Sequence, residues 1–144
     1  MKTGKIFLTS VSIALLMAAM VLLGSCKKGS GEVTPDVAAL LKSGTWKVKT
    51  VTVDGSDKLS LFTGLTLTFS TSSLSTINGE PVWPGSGTWA LNSDGTIITR
   101  GDGLTVTIDN ISETSLGLSL VWGKNTLGGR IGSVKGNHVF TFGK

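Results

Sequence analysis

The strongest constraint on the fold is an alternation of apolar and other residues that recurs after Gly44. Leu116, Leu118, Leu120 and Trp122 occupy every second position of one segment. Successive side chains of a β-strand point to opposite faces, so this period predicts strands with one face on a core and the other in solvent. The pattern therefore predicts an all-β domain.

The predicted strands are short and are separated by turn signals. The chain contains 20 glycines, and pairs such as Asp54-Gly55 and Asn78-Gly79 favour tight turns between strands. The predicted strands are Thr45–Val53, Leu65–Ser70, Ser73–Asn78, Gly87–Leu91, Thr96–Arg100, Leu104–Asp109, Leu116–Trp122, Arg130–Lys135 and His138–Phe142. The last two are predicted to form a hairpin with its turn at Gly136-Asn137.

A short helix is predicted before the first strand. Thr34-Pro35-Asp36 is typical of a helix start, and Lys42 and Gly44 mark its end. A helix of about two turns is not stable alone. We therefore expect it to pack over one end of the sheet.

Strands joined by short turns indicate an antiparallel meander. Closure of eight to nine strands into a barrel removes the exposed edges of such a sheet. A sandwich of two sheets is the alternative that the alternation leaves open.

The first 25 residues have the features of a secretory signal peptide. Lys2 and Lys5 precede an apolar run from Ile6 to Leu23, and two small residues follow before Cys26. An uncleaved membrane anchor is the alternative, because the run is close to the length of a membrane-spanning helix. Residues 26–33 are predicted to be a flexible tether, and residues 34–144 the folded domain.

The segment Gly24-Ser25-Cys26 resembles a bacterial lipobox. The resemblance implies that residues 1–25 are removed and that lipid on Cys26 holds the mature protein in a membrane. Lys27, and not an aspartate, follows the cysteine, so we expect the lipoprotein at the outer membrane. No acidic run follows Lys27, so we expect it on the periplasmic face of that membrane.

Two further stretches resemble the lipocalin-like domain that follows lipoboxes in lipoproteins of diderm bacteria. Leu40–Trp46 leads from a helix into a Gly-x-Trp motif, and Gly87–Thr96 is followed by Ile108-x-x-Ile111-Ser112. The resemblance covers Leu40 to the end of the chain. It implies a lipocalin-like barrel of eight to nine strands with a short N-terminal helix. It also implies a basic residue over Trp46, for which Arg130 is the candidate.

Residues for catalysis or metal binding are scarce. His138 is the only histidine and Cys26 the only cysteine, so the chain lacks the ligands of a usual zinc site. We expect His138 to lie on the surface beside a turn. The acidic residues, such as Asp54 and Asp102, lie mostly at turns, where their side chains form hydrogen bonds with the local backbone. A catalytic site with two paired carboxylates is the alternative interpretation of these residues. We expect no enzyme activity, cofactor or metal. The net charge of +4 is too scattered for nucleic acid.

The tryptophans are the remaining functional signal. Trp46, Trp89 and Trp122 lie in alternating strands and are expected in the core. Trp83 lies between Pro81 and Pro84, where a regular strand is disfavoured. An aromatic residue on such a loop can guard the mouth of a barrel or bind a partner. The alternative is that it folds back over the edge of the core.

We expect the barrel to bind a small apolar or amphipathic molecule. The candidate ligand-binding residues are Trp83, Phe69, Trp89, Val106 and Leu118, and the same residues would form the core of a filled barrel. The alternative function is an envelope protein–protein interaction module without a cavity, which binds another protein through Trp83 and its loop.

Overall fold

The predicted alternation produces a nine-stranded antiparallel sheet. The computed structural model describes residues 35–124 and 134–144. Its elements are α1 (Val37–Lys42), β1 (Thr45–Val53), β2 (Ser56–Asp57), a 3₁₀ helix (Leu59–Phe62), β3 (Thr66–Phe69), β4 (Ser73–Ile77), β5 (Ser86–Leu91), β6 (Ile97–Arg100), β7 (Thr105–Ile111), β8 (Ser115–Trp122) and β9 (Gly136–Gly143).

The sheet closes on itself. Strands β3 to β9 follow in chain order, and β1 pairs with both β3 and β9. Val48 lies opposite Phe142 and Val53 lies opposite His138, with a register shift between Val48 and Thr50. The two-residue strand β2 pairs with the end of β1 outside this ring. The fold is therefore a closed eight-stranded barrel with one extra strand, which confirms the barrel rather than the sandwich.

The last hairpin differs from its prediction. Gly136 and Asn137 do not form a turn; they begin β9 and pair with Trp122 and Val121 of β8. Lys135 lies outside any strand, and residues 130–133 of the other predicted strand lie outside the described residues. The hairpin that the chain forms is β8–β9.

The core follows the alternation closely. Most inward residues of successive strands are buried, so that the interior of the barrel is the hydrophobic core. These residues include Leu65, Leu67, Phe69, Trp89, Ile98, Val106, Leu116, Leu118, Leu120, Phe140 and Phe142. Each strand therefore places one face inside the barrel, as period two requires.

Helix α1 packs against β3 and β7 at the end of the barrel where β1 begins, which we call the helix end. Asp36 caps the helix by accepting a hydrogen bond from the backbone amide of Ala38 at 3.0 Å. Trp46, at the start of β1, donates from Nε1 to the carbonyl of Leu41 at 2.9 Å. The short helix is thus held by tertiary contacts. In the two described ranges, no helix is both long and apolar enough to cross a bilayer.

Candidate functional site

The loop between β4 and β5, residues 78–85, turns inward at the opposite end of the barrel, and we call it the Trp83 loop. The amide of Trp83 donates to the carbonyl of Gly79 at 2.8 Å, and Thr76 Oγ1 donates to the carbonyl of Pro84 at 2.7 Å. A Cβ on Gly79 would lie 2.5 Å from the Cβ of Trp83. The absence of a side chain at Gly79 therefore lets the loop fold back on itself.

This loop carries Val82 and Trp83 into the core. Val82 is fully buried and Trp83 is 1% exposed, because the loop directs both side chains away from solvent. The structure thus places Trp83 inside the barrel, and its ring is not on the surface where a protein partner would meet it. Of the two positions considered from the sequence, Trp83 adopts the one over the core.

Arg100, at the end of β6, fastens the Trp83 loop. The residue is only 3% exposed, and its Nη1 donates to the carbonyl of Val82 at 2.6 Å. Its Cζ lies 5.2 Å from the ring centroid of Trp83, within the range of a cation–π contact. The guanidinium therefore holds both the backbone and the aromatic ring of the loop.

Asp102 balances the charge of Arg100. Its carboxylate accepts hydrogen bonds from both Nε and Nη2 of the guanidinium. Burial raises the pKa of Asp102, but the hydrogen bonds from Arg100 and from the amide of Leu104 outweigh it and hold the pKa below its ordinary value. The pair lets a charged side chain lie in the core without an unpaired charge.

Four rings meet beside this pair, and we call Phe62, Trp83, His138 and Phe140 the aromatic cluster. Phe140 is its centre: its ring centroid lies 5.1 Å from that of Phe62, 5.7 Å from Trp83 and 5.9 Å from His138. The His138 and Phe140 rings are stacked, whereas Phe62 and Trp83 approach edge to face. The loop, the 3₁₀ helix and β9 thus contribute to one packed group.

His138 corrects an expectation from the sequence. It was expected on the surface beside a turn, but it is 0% exposed and lies within β9. Its Nδ1 is 3.1 Å from the carbonyl oxygen of Gly136. Burial lowers the pKa of His138, and the hydrogen bond to Gly136 and the charge of Asp54 oppose this only in part. The imidazole is therefore neutral near pH 7.

Two buried nitrogens of the aromatic cluster lack a hydrogen-bond partner. They are Nε1 of Trp83 and Nε2 of His138, and they are the unpartnered side-chain polar atoms buried in the described parts of the chain. A buried polar atom without a partner is destabilising and rare in native proteins. Each of these two atoms is therefore an exception in an otherwise satisfied core.

A surface cleft lies beside Arg100. Its volume is about 310 Å³, and its lining includes Leu74, Pro84, Thr88, Arg100 and Asp102. Since Arg100 also contacts the ring of Trp83, the cleft reaches the outer side of the residues that hold the Trp83 loop. None of the four residues of the aromatic cluster lines this cleft.

The other predicted ligand-binding residues are all in the core. Phe69 and Trp89 lie toward the helix end, with ring centroids 5.2 Å apart, and Trp89 Nε1 donates to the carbonyls of Ser70 and Ser73. Val106 and Leu118 are fully buried on β7 and β8. The indole nitrogen of Trp89 therefore has hydrogen-bond acceptors within the chain, unlike that of Trp83. Cys26 and Arg130 lie outside the described residues.

The sequence interpretation missed His138 and Arg100 as parts of the site. The alternation His138, Phe140, Phe142 on β9 was a signal for an inward histidine.

In the described part of the chain, no group of three His, Cys, Asp or Glu side chains could hold a metal ion. No protein-family model, curated protein or solved structure matches this chain.

Proposed function

We propose that this chain is a lipid-anchored, lipocalin-like lipoprotein whose barrel binds a small apolar or amphipathic molecule at the aromatic cluster. The observation that carries the proposal is the pair of buried, unpartnered nitrogens on Trp83 and His138. Binding sites for small molecules are mostly apolar and aromatic, with a few polar groups that orient the ligand. The aromatic cluster has this composition.

Entry to the aromatic cluster requires movement of the Trp83 loop, because Val82 and Trp83 are buried and no residue of the cluster lines the cleft. Movement of the loop must break the hydrogen bond that Arg100 donates to the carbonyl of Val82. A ligand would then replace the contacts of the indole ring with its own. This arrangement favours a small, flat ligand over a long acyl chain.

Binding can be tested with the full chain in lipid nanodiscs and with toluene, anisole and phenol as probes. Isothermal titration should give saturable heat for at least one probe, compared with empty nanodiscs. Val106→Trp adds bulk to the interior and should abolish this heat, since overpacked cores leave no room. Val121→Trp is the matched control, because Val121 is 68% exposed. Absence of saturable heat with all three probes would contradict the proposal.

The membrane anchor is a separate part of the proposal. It is supported by the lipobox-like Gly24-Ser25-Cys26 and the preceding apolar run. Cells grown with labelled palmitate should label the wild-type chain and the Ser30→Ala control. Cys26→Ser should remain an unlabelled, uncleaved precursor. An unlabelled wild-type chain would remove the lipoprotein part of the proposal. Protease treatment of intact cells tests the periplasmic orientation at the outer membrane.

A further inference from the structure

We infer that one side of the helix end docks on the anionic phospholipid headgroups of the membrane that holds the chain. The contacting residues are four exposed lysines, Lys42, Lys47, Lys49 and Lys144, which we call the lysine face. The inference rests on the membrane anchor in the proposed function, and it names the surface that orients the folded domain at that membrane.

Two of these lysines lie on the outer surface of β1. Lys47 lies opposite Gly143 of β9, and a Cβ on Gly143 would lie 2.8 Å from Cε of Lys49. Gly143 therefore leaves room for the side chain of Lys49 beside the neighbouring strand. Both lysines thus lie next to the same residue near the end of the chain.

The other two lysines join this pair through the last residue. The Nζ of Lys144 donates to Oγ of Ser43 at 2.5 Å, and Lys42 directly precedes Ser43. The same Nζ lies 4.5 Å from the ring centroid of Trp46, so the position of the ammonium group is fixed by two contacts. The end of α1, the start of β1 and the residue after β9 therefore carry four positive charges in one region.

Acidic side chains do not neutralise the lysine face. Within residues 35–124 and 134–144, none of its four lysines forms an ion pair. Strand β1 and the strands on either side of it, β3 and β9, contain no acidic residue. Asp36 and Glu113 line a cleft with Lys144, but no residue of β1 lines that cleft. A surface of one sign of charge attracts an anionic partner.

The sequence before the domain identifies an anionic membrane as that partner. Pro35 is nine residues after Cys26, and an extended chain spans about 3.3–3.6 Å per residue. Lipid on Cys26 would therefore hold the start of α1 within about 30 Å of the headgroups. Each lysine near an anionic bilayer favours the contact by about fivefold, and the effect decays within a Debye length. Four lysines at this end are enough to turn one side of the barrel toward the membrane.

Paramagnetic relaxation tests this orientation with the full chain in nanodiscs. A trace of lipid with a gadolinium-chelating headgroup broadens the signals of amides that lie near the bilayer surface. With about one quarter phosphatidylglycerol, the amides of Lys47 and Lys49 should relax at least about threefold faster than in phosphatidylcholine alone. The amide of Asp57, at the opposite end of the barrel, should change little. Salt at about 0.5 M, where the Debye length is about 4 Å, should remove the difference.

Two double variants separate the lysine face from net charge. Lys47→Gln with Lys49→Gln removes two exposed charges without touching the core, and it should abolish most of the response to phosphatidylglycerol. Lys58→Gln with Lys124→Gln makes the same change in net charge at the opposite end, and it should keep the response. Equal losses in the two variants would overturn the inference, because net charge alone would then explain the binding.

The outcomes also distinguish the lysine face from the anchor. Equal relaxation of Lys47 and Lys49 in the two lipid compositions would overturn the docking on headgroups and leave the anchor standing, with an acidic protein as the partner to test next. The anchor is judged separately by palmitate labelling. An unlabelled wild-type chain that still responds to phosphatidylglycerol would remove the anchor and support the lysine face.

Discussion

The ammonium group of Lys144 lies over the indole ring of Trp46, with its Nζ 4.5 Å from the ring centroid. The same Nζ donates to Ser43 Oγ at 2.5 Å, and Trp46 Nε1 donates to the carbonyl of Leu41. These contacts join α1, the start of β1 and the residue after β9. Lys144 is thus the basic residue over Trp46 in the described part of the chain, whereas Arg130, the candidate for that position from the sequence, lies outside it.

Trp46 is predicted to be a major contributor to stability, because it is buried and ties the helix to the barrel. Trp46→Ala should lower the free energy of unfolding by about 3–5 kcal/mol, as large aromatic truncations in cores do. Trp46→Phe retains a ring but loses the bond to Leu41, and should cost about 1 kcal/mol. Urea denaturation followed by circular dichroism measures both. A loss below about 1 kcal/mol for Trp46→Ala would contradict the role of Trp46.

The sequence predicts most strands because their alternation is a local property. The bounds of β1 are predicted without error, and β3 to β8 shift by one or two residues at their ends. The predicted strand His138–Phe142 lies within β9, but its start was mispredicted because Gly136-Asn137 looks like a turn. Gly136 and Asn137 instead pair with β8, and a distant residue, Asp54, accepts at Oδ1 from the amide of Asn137 at 2.9 Å. A local sequence pattern does not reveal a contact between residues so far apart in the chain.

The site was less predictable than the fold. Trp83 was identified from its residue type and its neighbouring prolines, but the direction of its side chain depends on Gly79 and on Arg100, which is distant in sequence. His138 was judged by the turn expected before it, although its spacing from Phe140 and Phe142 indicated an inward side chain. The lack of hydrogen-bond partners for Trp83 Nε1 and His138 Nε2 could not be predicted, because it depends on how both side chains are buried in the folded barrel.

Gly79 and Gly87 provide a matched test of the Trp83 loop. A Cβ at Gly79 would lie 2.5 Å from Trp83 Cβ and 2.8 Å from Leu65 Cδ1, whereas a Cβ at Gly87 has no atom within 4 Å. Gly79→Ala should therefore destabilise the barrel by about 1–3 kcal/mol, the usual effect of overpacking. Gly87→Ala should stay within about 0.5 kcal/mol of wild type. Equal unfolding midpoints in urea for the two variants would show that the loop does not require a glycine.

Arg100 is predicted to hold Trp83 in the core. Arg100→Met removes the donor to the carbonyl of Val82 and the cation over the indole, so the loop should open more often. The indole N–H of Trp83 should then exchange with solvent about tenfold faster, which corresponds to about 1.4 kcal/mol of lost stability for the closed loop. NMR hydrogen exchange measures this rate. Lys47→Met removes an exposed charge far from the loop and is the control; an equal acceleration in both variants would rule out the specific role of Arg100.

His138 is predicted to make the stability of the barrel depend on pH. Burial lowers the pKa of its imidazole in the folded state, so the unfolded chain takes up a proton first as the pH falls below about 6.5. Stability is then complete above this pH and declines below it, by up to about 1.4 kcal/mol for each pH unit. The lowered pKa of Asp102 acts in the same direction but only near pH 4 and below. Urea midpoints measured from pH 5 to 8 should show the decline in the wild-type chain and should be much flatter in His138→Phe. Equal slopes in the two proteins would mean that His138 is not the group that titrates.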